Sequence, residues 1–165
     1  MDNPFVSLAI GVLISMGFGY PVMLLARRLN LMDMPGSASH KTHTHPTPLA
    51  GGLLLAAALI VLALIFREWL NRDILVVFAG AAVVFLFGIW DDYKGLSAWP
   101  KLLGQFLAVS ILVSFGIQVQ FITVLTEAWH IPPLLVQVLN IVITLFWMIG
   151  ITNAMNMIDS MDGIV

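Results

Sequence analysis

The chain has 165 residues, 60% of them hydrophobic and only 10% charged, with a mean hydropathy of +1.00 and a formal net charge of −2. That balance excludes an ordinary soluble globular domain and places the chain among integral membrane proteins. Cysteine is absent, so disulfides and thiolate metal sites are excluded. No basic stripe with interleaved aromatics points to nucleic acid.

Five stretches contain no Asp, Glu, Lys or Arg: residues 4–26, 48–66, 74–90, 102–125 and 134–151. Each is long enough, or nearly so, to cross a hydrocarbon core of about 30 Å as a helix. The first is too long for a signal-peptide core and has neither a basic leader nor an Ala-x-Ala exit, so it reads as a retained span. Gly and Pro recur inside the stretches (Gly11, Gly17, Gly19, Pro21, Gly104, Gly116), as membrane helices tolerate where they pack closely. Trp69, Trp90, Trp99 and Trp129 fall at or near span ends, matching an aromatic belt.

Alternation puts the first, third and fifth connecting segments on one side. The first and third carry Arg27, Arg28, Lys41, Lys94 and Lys101, against Arg67 and Arg72 opposite, so the positive-inside rule makes the former face cytoplasmic. The expected fold is an all-α membrane protein of about five transmembrane helices. Its N-terminus is outside, its motif loops are on the cytoplasmic face, and residues 1–165 form a single multi-pass domain of the plasma membrane.

This topology gathers Asp33, Asp91, Asp92, Asp159 and Asp162 on the cytoplasmic face. Asn153, Asn156, Asp159 and Asp162 are spaced three apart, and a continuing helix stacks them as a ladder of oxygen ligands. Such a ladder beside Asp91-Asp92 suits Mg²⁺ with a substrate diphosphate, since this cation takes oxygen ligands, a few carboxylates and phosphates. An isolated Asp pair after a span is more often a solvated helix exit, and Asn or Asp near a helix end is more often a cap. The convergence of three loops is what favours a site. In the first loop, His40, His43 and His45 offer a zinc set with no Cys partner; a phosphate-facing role for Lys41 and His43 is favoured.

Three runs then resemble the polyprenyl-phosphate N-acetylhexosamine-1-phosphate transferases. The first is Asp33-Met-Pro with His40-Lys41-Thr-His43 and Pro46-Thr-Pro48-Leu-Ala-Gly51-Gly52. The second is Gly88-Ile-Trp-Asp91-Asp92-Tyr-Lys94 with Lys101 and Gln105 downstream. The third is Asn153-Ala-Met-Asn156-Met-Ile-Asp159-Ser160-Met-Asp162-Gly163, in which Ser160 stands where the family usually has Gly.

The resemblance implies that a polyprenyl phosphate attacks the β-phosphorus of a UDP-amino sugar, giving a lipid-diphosphate-sugar and UMP for cell-envelope polysaccharide synthesis. It implies Mg²⁺, or Mn²⁺ in its place, and a homodimer is compatible with it. Asp91 and Asp92 are expected to act in catalysis through lipid-phosphate activation, and Asp92, Asp159 and Asp162 to bind the metal. Lys41, His43, Lys101, Asn153, Asn156, Asp159 and Asp162 are expected to bind substrate. The Asn-Met-Ile-Asp run and Pro46-Thr-Pro48-Leu-Ala-Gly-Gly look closer to the branch that uses UDP-GlcNAc.

The family carries further spans, another metal-binding Asp and a His-rich loop downstream. The expectation is therefore an N-terminal half, inactive alone. A non-catalytic membrane fragment or partner is one alternative. A cation-coupled transporter is another, disfavoured because its carboxylates usually lie near the midplane whereas these fall in loops or at cytoplasmic helix ends.

Overall fold

The computed structural model describes residues 4–33, 45–126 and 131–159, with backbone only for 124–126 and 158–159. The chain forms two compact units, Met1–Asn71 and Arg72–Val165.

The first unit pairs α1 (Pro4–Arg28) with α2 (Gly51–Ile65). Arg27 and Arg28 occupy the last turn of α1, where cations suit the carbonyl end of the helix. The helix stops at Asn30, whose φ of 57° is left-handed. Asn30 N–H donates to the Arg27 carbonyl and Leu31 N–H to the Ala26 carbonyl, which is the two-bond helix stop that Asn tolerates almost as well as Gly. Ala26 and Leu31 are the most buried apolar residues in this unit, with Val22 and Ala58 beside them in the core. Two short antiparallel strands follow, β1 (Met32–Asp33) and β2 (Thr47–Pro48), with Asp33 opposite Thr47. They close the first motif loop at its base; residues 34–44 within it lie outside the described residues.

The second unit contains α3 (Arg72–Lys94), α4 (Ala98–Ser114), α5 (Phe121–Thr126) and α6 (Pro133–Asp159). α4 packs antiparallel between α3 and α6. The α3–α4 contact is close because it is built on glycines. A Cβ at Gly104 would lie 2.5 Å from Phe87 Cγ, and one at Gly80 would collide with Leu112 Cδ1. Small residues at crossings let membrane helices approach and gain dispersion contacts that lipid cannot supply. At the far end, the Arg72 guanidinium lies 5.3 Å from the Phe115 ring centroid, tying the start of α3 to the end of α4.

Large apolar side chains point outward, Phe5, Met16, Phe146 and Leu134 among them, while the buried positions are small or medium: Val76, Gly80, Gly104, Ala108 and Val109. That distribution suits a hydrocarbon surround. Among the described residues, three helices are long and apolar enough to cross a membrane: Pro4–Arg28, Arg72–Lys94 and the Pro133–Met157 part of α6. α2 and α4, with 15 and 17 residues, rise only about 22 and 26 Å.

Two sequence expectations need correction. The fourth stretch, 102–125, is not one helix: α4 stops at Gly116, where φ is +86°, Gly116 N–H donates to the Val113 carbonyl and Ile117 N–H to the Leu112 carbonyl. Hydropathy does not register a left-handed glycine. Asp91 and Asp92 do not lie in a loop but inside the last turn of α3, and Lys101 lies inside α4, because the connection has shrunk to residues 95–97.

Candidate active site

The site begins with how α3 ends. Gly95 takes φ +60° and donates its N–H to the Asp91 carbonyl at 2.7 Å. The next amide, Leu96 N–H, donates to Asp91 Oδ1 at 2.8 Å. Asp91 therefore closes the turn with both its backbone and its side chain. Ser97 starts α4 in extended geometry, and Pro100 sits in the first turn, where its missing N–H costs no helix bond.

The other carboxylate oxygen, Asp91 Oδ2, meets Lys101 Nζ at 2.7 Å, with both side chains only about one-third exposed. One turn further along α4, Gln105 Oε1 accepts from Asn153 Nδ2 at 2.7 Å, and the same Nδ2 donates to the Ile149 carbonyl at 2.8 Å. Asp91, Lys101, Gln105, Thr152, Asn153 and Asn156 then line a cavity of about 150 Å³ floored by Val84, Phe87 and Gly88. The second and third motifs thus meet at one end of the α3–α4–α6 bundle.

The other expected residues fall as follows. Asp92 is exposed on the final turn of α3 and takes part in an interaction of its own, but it is not among the cavity-lining residues. α6 continues as a helix through Asp159, so the three-residue spacing of Asn153, Asn156 and Asp159 lies on one helical face, while the Asp159 side chain lies outside the described residues. Lys41, His43 and Asp162 also lie outside them. Among the described residues no three His, Asp or Glu side chains gather to hold a metal. The cavity offers carboxylate and amide oxygens without thiol or imidazole, a donor chemistry that fits Mg²⁺.

Gln105 was named in the second motif without a role, and two further contributors, Thr152 and Phe87, were not singled out by sequence reasoning. Gln105 carried a signal, being a polar residue at helical spacing from Lys101. Phe87 carried none, because its place follows from the missing side chain at Gly104. A second polar cluster lies at the opposite end of α6. Asn140 and Thr144 are nearly fully buried, and Val119 N–H donates to Thr144 Oγ1 while Ile122 N–H donates to Asn140 Oδ1. These side chains satisfy the backbone exposed by the break after α4.

The Asp91 turn, Lys101 and the Asn-rich end of α6 all fall in the segment 74–165, which matches the family model for glycosyl transferase family 4. The chain belongs to glycosyl transferase family 4. The resemblance drawn from the motifs is borne out.

Family 4 relatives of this chain include a protein named as a probable undecaprenyl-phosphate N-acetylglucosaminyl 1-phosphate transferase from Bacillus subtilis, 31% identical over 87% of this chain and 38% of the relative. A decaprenyl-phosphate N-acetylglucosaminephosphotransferase from Mycobacterium tuberculosis is 31% identical over 87% of this chain and 37% of the relative. A phospho-N-acetylmuramoyl-pentapeptide-transferase from Lacticaseibacillus paracasei is 30% identical over 72% and 40%. The chain spans about two fifths of the length of these relatives. No solved structure matches it.

Proposed function

We propose that this chain supplies part of the active site of an enzyme that transfers an N-acetylhexosamine-1-phosphate group from a UDP-sugar, UDP-GlcNAc in the first instance, to a polyprenyl phosphate. A lipid phosphate oxygen forms the new bond to the β-phosphorus, the bond from that phosphorus to the bridging oxygen breaks, and UMP leaves. The observation that carries this reading is the meeting of the Asp91–Lys101 ion pair with Gln105, Asn153 and Asn156 around one cavity.

A Lys ammonium has three donors, so Lys101 paired to Asp91 keeps capacity for phosphate oxygens. Asn153 and Asn156 offer amide groups to the hydroxyl and amide functions of the donor. Asp92, Asp159 and Asp162 would hold Mg²⁺, which when bound offsets the negative charge of the diphosphate. The chain's own residues bind and orient, and that positioning supplies much of the rate in phosphoryl transfer. In this reading five helices cross the plasma membrane, with the N-terminus outside and the cavity on the cytoplasmic face, where UDP-sugars are found.

The test is UMP release from UDP-GlcNAc with undecaprenyl phosphate and Mg²⁺. Membranes would contain either the chain as it stands or the chain extended through any coding sequence that follows it. Release that Asp92→Asn abolishes supports the transferase. Release with UDP-MurNAc-pentapeptide but not UDP-GlcNAc moves the donor to the other relatives' substrate, and no release with either removes the reading.

A further inference from the structure

We infer that the two aspartates of the Asp91-Asp92 pair are not equivalent: Asp91 is a positioning residue that sets the α3–α4 turn and holds Lys101 toward the cavity. The inference rests on the transferase reading for its consequence, while its structural half stands on the chain alone.

The geometry is a divided carboxylate. Oδ1 accepts the Leu96 N–H at 2.8 Å and Oδ2 meets Lys101 Nζ at 2.7 Å. The Asp91 carbonyl also receives Gly95 N–H, so three separate contacts of one residue define the 95–97 connection. Both oxygens are thus committed to protein partners, and the charge-assisted contact fixes a long, rotamer-rich lysine in one direction. Consecutive helical positions lie about 100° apart, so Asp92 leaves α3 on a different side from Asp91. The identical chemistry of the two side chains thus hides a division of labour that only the turn geometry separates.

Two kinds of measurement test it. On the chain in detergent, amide exchange at Leu96 and acylation of Lys101 by a water-soluble amine-reactive ester are followed by mass spectrometry, with Lys94 as internal control. Asp91→Ala is expected to speed both. Asp91→Asn keeps an oxygen for the Leu96 amide but loses the charge, so it is expected to speed Lys101 acylation by about threefold, a discounted value for a part-exposed pair, while leaving Leu96 protected. Unchanged acylation in both variants would overturn the inference.

In the form that releases UMP, Asp91→Asn, Lys101→Gln and the double variant form a cycle. If Asp91 acts through Lys101, the double variant is no slower than the slower single variant. Losses that multiply show that Asp91 acts independently of Lys101 and sink the proposal. Absence of UMP release from every form removes the transferase reading alone, because exchange and acylation still decide what Asp91 holds.

Discussion

Asn153 Nδ2 donates to Gln105 Oε1 at 2.7 Å, joining α6 to α4 across 48 positions of sequence. The second Nδ2 hydrogen goes to the Ile149 carbonyl, which can only accept, so the nitrogen end of the amide is fixed and the oxygen is what the side chain has left to offer. Gln105→Leu leaves one of those hydrogens unpaired. A loss of about 1 kcal/mol is expected, read as a lower thermal midpoint in detergent. Pairing Gln105→Leu with Asn153→Leu should cost less than the sum of the two single changes, and strict additivity would show that the bond does not form.

Gly104 lets α4 press onto Phe87. Gly104→Ala places a Cβ 2.5 Å from the near end of the Phe87 ring, at the ring carbon attached to the side-chain stem, where swinging the ring tip gives no relief. Destabilisation of about 1–3 kcal/mol is expected from overpacking. Phe87→Leu in the same chain should recover part of it, and equal stability of Gly104→Ala and the parent would refute the close approach.

Thr144 and Asn140 hold the segment after the α4 break. Thr144→Val keeps the shape and strips the acceptor from Val119 N–H, at a cost of about 1 kcal/mol for a part-buried bond. Hydrogen exchange should rise at Val119 far more than at Leu103 in the middle of α4. A uniform rise along the unit would instead mean that the whole bundle loosens.

Gly116 ends α4 with φ +86°, and any side chain there is forced into left-handed backbone. Gly116→Ala should cost about 1–2 kcal/mol. Gly150→Ala, inside α6 with open space around the added carbon, should stabilise by a few tenths to about 1 kcal/mol. Thermal midpoints moving in opposite directions for these two variants would confirm the helix stop.

Much of this was legible before any coordinates. Composition and the five uncharged stretches sufficed for the membrane class, and the spacing of Asn153, Asn156 and Asp159 was enough to expect one helical face. The fourth stretch was misread because hydropathy sums side chains and cannot see that Gly116 has left the helix. Asp91 and Asp92 were placed in a loop because charge was taken as the sign of a span's end, whereas backbone hydrogen bonds carry α3 on to Lys94.

The sequence by itself determined where apolar chain ends and polar chemistry begins, since burying charge in hydrocarbon is costly enough to leave a mark on every span. It also determined the family, because three motifs in order are specific. Only the tertiary structure decided which polar groups meet. The Gly80 and Gly104 contacts bring α3 and α4 together, α4 carries Gln105 to Asn153, and the 95–97 turn points both oxygens of Asp91 at partners. Those choices depend on contacts a few ångströms long between residues tens of positions apart, and hydropathy and spacing carry no record of them.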